Sequence, residues 1–188
     1  MKHFYQDIDG FMNKENILLF DKVLDLMPPE CCWIELGAWT GKSVAYSVVE
    51  LINKKKFGKF FAVDSWQGCE ILQKHELVKS NLVKDVFLKN ISPLSDKIKI
   101  IENYSWKAAK DFLDESVDFC YVDADHSYEG VSKDLDAWWP KIKENSYFGG
   151  DDYTNQFPGV FSAVNDFFSK RNIKIDTVGR CWLVQKIN

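Results

Sequence analysis

The chain has 188 residues, 46% of them hydrophobic and 28% charged, with a net charge of −4. That is enough chain for one domain with a sizeable core and too apolar for a disordered one, and it lacks the basic excess of a nucleic-acid surface. No apolar run reaches the ~18 residues that cross a bilayer, and Met1 to Asp7 lack the apolar stretch of a secretory leader, so no membrane contact is expected.

In chain order, residues 15–27 have helical spacing and stop at Pro28-Pro29. Trp33 to Leu36 reads as the first strand, Ser43 to Leu51 as a helix, and Lys59 to Val63 as the second strand, with Lys54-Lys55-Lys56 as a solvated connection. Residues 70–90 read as mostly helical. Ile98 to Ile101 is the third strand, Trp106 to Leu113 a short helix, and Val117 to Val122 the fourth strand. Val131 to Trp139 is a helix halted by Pro140, with Trp138-Trp139 packed on the sheet. Tyr147 to Gly150 is the fifth strand and Gly159 to Ser169 a helix, followed by strands near Lys174–Val178 and Cys181–Gln185. Repeated strand–helix units predict an α/β fold, a parallel sheet covered on both faces, with the last strand pair making a mixed edge. We expect a single domain over 1–188, with 1–30 as a helical lead-in.

Five cysteines (Cys31, Cys32, Cys69, Cys120 and Cys181) form an odd set without paired spacing, which predicts reduced thiols in a cytoplasm. His3, His75 and His126 stand apart from any cysteine pair, so no zinc pattern is present.

The stretch from Trp33 to Ser43 runs from a buried strand through a glycine turn into a helix. Gly37 and Gly41 would let a ligand approach the backbone. Asp64, ending the next strand, could accept hydrogen bonds from ribose hydroxyls. The dinucleotide fingerprint fails because Trp39 stands between only two glycines, and a Walker A loop fails because Leu36 occupies its first glycine position. Glu35, aimed into the turn, would repel a phosphate but could orient the loop or hold an ammonium. S-adenosylmethionine, a nucleoside without phosphate, satisfies these constraints. Ser43, near the helix start, could bond its carboxylate. Asp123 ends the fourth strand, and Asp151-Asp152 follow the fifth. Like charges gathered on the rim where such sheets bind ligands repel one another, and a divalent cation would satisfy them.

Glu35-Leu36-Gly37-Ala38-Trp39-Thr40-Gly41-Lys42-Ser43 resembles motif I of the class I methyltransferases, and closely that of catechol O-methyltransferase. Asp123-Ala124-Asp125-His126-Ser127-Tyr128-Glu129 resembles a small bacterial methyltransferase group, which follows it with a glycine pair and an acid before tyrosine, here Gly149-Gly150-Asp151-Asp152-Tyr153. The resemblance implies a Rossmann-like seven-stranded methyltransferase sheet, mostly parallel with an antiparallel C-terminal edge. It also implies S-adenosylmethionine as cofactor and metal-assisted O-methylation of a small-molecule hydroxyl, a sugar or a phenol, as the activity. In that reading Ser105 and Trp106 contact the adenine, Trp39 covers the methionine moiety, and Asp123, Asp151 and Asp152 hold Mg²⁺. His126 is the first candidate base and Asp125 the second. Trp66 would shape the cofactor or acceptor pocket, and the polar-aromatic loop with Tyr153, Asn155, Gln156 and Phe157 suits a sugar or a phenol.

Two other readings stand beside it. A non-catalytic S-adenosylmethionine-binding regulator or complex subunit would bind the cofactor without turnover, and the short N-terminal region, which offers little lid, is compatible with it. A nucleotide-dependent oxidoreductase would have to bind NAD, which Trp39 and the missing third glycine oppose. Abundant aromatics leave a homodimer open.

Overall fold

The computed structural model describes residues 1–187. The strands are β1 (Cys31–Leu36), β2 (Phe57–Asp64), β3 (Ile98–Glu102), β4 (Val117–Val122), β5 (Ile142–Gly150), β6 (Asp176–Val178) and β7 (Cys181–Gln185). The helices are α1 (Lys14–Leu26), α2 (Lys42–Asn53), α3 (Glu76–Lys79), α4 (Val83–Asn90), α5 (Ser105–Ala108), α6 (Tyr128–Trp138) and α7 (Pro158–Ser169). The strands form one seven-stranded sheet in the order β3-β2-β1-β4-β5-β7-β6. The pairs from β3 through β5 are parallel, whereas β7 runs antiparallel to both neighbours. This is the parallel sheet with a mixed edge that the strand signals predict, and the Rossmann-like order with an antiparallel C-terminal edge that the resemblance implies.

Alternation along the strands sorts the core into two layers. Cys31 and Trp33 of β1 face one way, with Phe20 and Leu24 of α1 and Val44 and Val48 of α2. Ile34 and Leu36 face the other, with Leu135 and Trp138 of α6 and Val164 and Phe168 of α7. Both faces are therefore apolar, which is why the central strands read as near-continuous hydrophobic runs. Trp33 is fully buried and meets Phe119 edge-to-face, ring centroids 4.5 Å apart.

The structure redraws several expected elements. Residues 70–90 are not one helix. A turn of 3₁₀ helix at Glu70–Leu72 precedes the four-residue α3, and Asn81, in the left-handed region at φ 56°, separates α3 from α4. β5 begins at Ile142 rather than Tyr147, because backbone pairing with Val117 extends the ladder through the exposed Glu144 and Asn145. α6 begins at Tyr128, capped by the Ser127 hydroxyl accepting from Gly130 N at 3.0 Å. Lys56 is not simply solvated. Its Nζ donates to the carbonyls of Leu24, Asp25 and Met27 at 2.7, 3.0 and 2.7 Å, closing the C-terminal end of α1.

The order of strands places β1 and β4 side by side at the centre, with the chain winding outward from them in opposite directions. The crevice beyond the carboxyl ends of two such strands is where open α/β sheets take ligands.

Candidate functional site

A cleft of about 870 Å³ opens at that position. Gly37, Trp39 and Ser43 wall it from the β1–α2 turn, Asp64 from the end of β2, and Ser105 and Trp106 from α5. Asp123, Asp125 and His126 reach it from the loop after β4, and Asp151 and Asp152 from the end of β5. Of the expected site residues, Glu35 and Gly41 lie behind this wall rather than in it.

Gly37 has φ 89°, and a Cβ there would lie 1.9 Å from the Asp123 carbonyl oxygen. Glycine at this position lets the exits of β1 and β4 touch. Trp39 takes a left-handed φ of 46°. Its amide donates to Asp64 Oδ2 at 2.8 Å, and its carbonyl accepts from Trp66 Nε1 at 3.0 Å. Asp64 Oδ1 accepts from the Trp66 amide at 2.7 Å. Asp64 thus braces the loop while its carboxylate also walls the cleft, within reach of a ligand hydroxyl. Burial raises its pKa, while the amides of Trp39 and Trp66 oppose the rise.

Trp66, expected to shape the pocket, is buried against Phe87 with ring centroids 5.1 Å apart. It supports the pocket loop from behind. Ser43 donates to Glu35 Oε1, so its hydroxyl is engaged inward. Burial pushes the Glu35 carboxyl up to about 8, the Ser43 hydrogen bond pulling the other way.

At the opposite end, Asp123, His126 and Asp152 bring one ligand atom each within 4.8 Å of one another. His126 Nε2 lies 2.7 Å from Asp152 Oδ2 and 3.7 Å from Asp123 Oδ1, while Nδ1 lies 3.6 Å from Cys69 Sγ. Burial would depress the imidazole, but the nearby Asp123 carboxylate and the Cys69 sulfur outweigh it and push the pKa up to about 10. Burial, with the nearby Asp151 charge adding to it, raises Asp123 to about 6 against the opposing pull of His126.

Asp151 is turned away from that trio. Its Oδ2 accepts from Asn16 Nδ2 at 2.8 Å, and its Oδ1 from Arg180 Nε at 3.0 Å and from the Asp152 amide at 2.7 Å. Arg180 Nη2 pairs with Asp152 Oδ1. Asp125 is exposed and its Oδ1 accepts from the Ser127 amide at 2.7 Å, which shapes the start of α6. Tyr153 turns away from the cleft, its hydroxyl donating to Asn165 Oδ1 at 2.9 Å, whereas Phe157 reaches the cleft.

Sequence reasoning missed Arg180, Asn16, Cys69 and the segment Gly10–Asn13, all of which line the cleft. Asn16 carried a readable signal, as a polar residue on the apolar face of α1. Arg180 carried a fainter one, as a lone cation in the turn between two terminal strand signals.

A family model described as a methyltransferase domain matches residues 34–153 of the chain. A protein of Acanthamoeba polyphaga mimivirus described as uncharacterized is 27% identical over 139 residues, covering 71% of this chain and 57% of that protein. The chain therefore spans little more than half the length of that relative. Among solved structures, the O-methyltransferase NovP has a TM-score of 0.71 at 17% identity, covering 93% of this chain and 80% of that one. A S-adenosylmethionine-dependent O-methyltransferase from Thermotoga maritima has a TM-score of 0.64 at 14% identity, covering 96% and 67%. A calicheamicin methyltransferase has a TM-score of 0.62 at 15% identity, covering 90% and 76%. At these identities the likeness to the solved structures is one of fold.

Proposed function

The chain belongs to the methyltransferase-domain family, and on that premise we propose that it transfers a methyl group from S-adenosylmethionine to a hydroxyl of a small acceptor, a sugar or a phenol. The observation that carries this reading is the convergence, in one cleft, of Asp64 at one end and the Asp123–His126 pair at the other. The volume of about 870 Å³ suits a nucleoside cofactor with room for an acceptor.

The donors present fit S-adenosylmethionine. Asp64 presents its carboxylate where ribose hydroxyls would lie, Ser105 and Trp106 wall the region beyond it, and the turn from Gly37 to Trp39 walls the side for the methionine portion. When bound, the cofactor supplies an electrophilic methyl group on a sulfonium. The protein's task is then positioning and removal of one proton from the acceptor.

His126, flanked by two carboxylates, is held as a cation at neutral pH and so orients and neutralises rather than accepting a proton. Asp123, raised to about 6, is ionised at neutral pH yet basic enough to take a hydroxyl proton as transfer proceeds. The rate should therefore rise with pH as Asp123 ionises, near 6.

The magnesium that the resemblance implies does not fit the donors as they are arranged. Both Asp151 oxygens already accept from Asn16, Arg180 or backbone, Asp152 Oδ2 meets His126 while its Oδ1 is paired in charge with Arg180, and the third group near Asp152 is an imidazole, a poor partner for a hard cation.

Calorimetric titration with S-adenosylhomocysteine tests the cofactor map. Binding by the native chain, weakened about tenfold or more in Asp64→Ala and retained in Asp123→Asn, supports it. No binding by the native chain overturns the methyltransferase reading. With an acceptor drawn from a panel of phenols and sugars, Asp123→Asn should lower kcat by about a hundredfold or more and abolish the rise near pH 6. A profile that keeps its rise in that variant removes Asp123 as the base.

A further inference from the structure

Three carboxylates meet at the acceptor end of the cleft, and two side-chain cations already serve them. His126 lies between Asp123 and Asp152, and Arg180 spans Asp151 and Asp152. We infer that Arg180 is a built-in cation holding the place of the metal, so that the site works without a divalent ion. The inference rests on the methyltransferase reading above and deepens it.

Arg180 is fixed from several sides. It follows Gly179, whose φ of 58° turns the chain between β6 and β7, and its carbonyl accepts from the Tyr153 amide at 2.8 Å. The guanidinium lies 5.5 Å from the centroid of the Phe157 ring. On the far side Asn16, reaching over from α1, fixes Asp151 through its other oxygen. The planar guanidinium fork can serve two carboxylates at once, and it does not lose its proton in a protein. A divalent ion entering here would have to displace a charge that cannot be switched off, and take over lone pairs already in use.

The arrangement also widens the range of acceptors. A site that binds its acceptor through a metal gains from two oxygens that chelate together. A site built on Asp123 and a fixed arginine needs only one hydroxyl within reach of Asp123. An acceptor with a single isolated hydroxyl is therefore admissible.

Removing Arg180 should uncover a latent metal site, because Asp123, His126 and Asp152 already stand within 4.8 Å. Mixed carboxylate–imidazole donors suit Mn²⁺, whose electron paramagnetic resonance signal reports binding directly. The native chain with S-adenosylhomocysteine should leave free Mn²⁺ unchanged. Arg180→Met or Arg180→Gln should take up one Mn²⁺ per chain, and a further His126→Asn change should abolish that uptake. Arg180→Lys, which keeps the charge, should behave like the native chain. Stoichiometric uptake by the native chain overturns the inference, and so does absence of uptake in both neutral variants. Calorimetry with S-adenosylhomocysteine on the same samples keeps the two questions apart. Its failure in the native chain overturns the methyltransferase reading, whereas Mn²⁺ uptake by a native chain that binds the nucleoside overturns only the role of Arg180.

Discussion

Glu35 is only 1% exposed, hydrogen-bonded to Ser43 through one oxygen and without a partner on the other. A buried carboxyl in this state prefers its proton, and its pKa is raised from 4.5 to about 8. The folded chain therefore holds a proton there that the unfolded chain releases near 4.5. This contribution to stability is full below about 4.5 and declines as pH rises through about 8. Glu35→Gln retains an amide that can bond Ser43 and removes the titration. Melting curves at about pH 5 and about pH 8 should diverge, with the variant gaining on the native chain at the higher pH by about 2–4 °C for each kcal/mol recovered. A constant difference in Tm at both pH values would show that Glu35 does not titrate in this window. The sequence revealed Glu35 as an acid pointing into the turn, but not that a serine eight residues later would engage it, because that contact depends on how the turn folds back.

Helix α1 shows how an element outside the glycine loop and the strand ends positions the site. Its start is a capping box, with Asn13 accepting from the amides of Glu15 and Asn16 and the Asn16 side chain accepting from the Asn13 amide. Asn16 then turns its amide nitrogen to Tyr121 Oη at 2.7 Å and to Asp151 Oδ2 at 2.8 Å. Asn16→Leu would leave a buried carboxylate oxygen and a phenol short of a partner, at a cost of roughly 2–4 kcal/mol. Urea unfolding checks this, and a loss below about 0.5 kcal/mol would mean that water replaces the amide. Lys56→Met, which uncaps the other end of α1, should cost about 1 kcal/mol or less, because that end is partly solvated. Element type was readable where burial imposes a pattern. β4 spans Val117–Val122 as expected because every one of its residues is buried. The 70–90 region defied reading because its apolar residues, with Leu82 and Leu88 exposed, follow no single face, and one left-handed asparagine breaks the run.

Across the molecule, the rim was legible and the interior wiring was not. Acids at strand ends announce themselves in sequence, since each closes an apolar run. Which of them face the cleft depends on partners far away in the chain. Asp151 is drawn aside by Asn16 and Arg180, residues 135 and 29 positions distant. The lead-in, read as offering little lid, contributes more than expected, because Gly10 to Asn13 form part of the cleft wall next to Trp39. Phe11 is 62% exposed and its ring centroid lies 5.7 Å from that of Trp39, while Thr40 donates to the Asp9 carbonyl at 2.6 Å. A segment that is exposed, yet tied to the glycine loop at these points, should settle when a ligand fills the cleft. Amide hydrogen exchange with and without S-adenosylhomocysteine should then show protection in residues 37–43 and 64–66 and, with them, in residues 10–13. β5 should serve as the unchanged reference over its outer half, residues 142–146, which lie away from the cleft. Protection confined to the glycine loop and β2, with residues 10–13 exchanging as before, would make the lead-in a passive support rather than a wall that responds to the ligand.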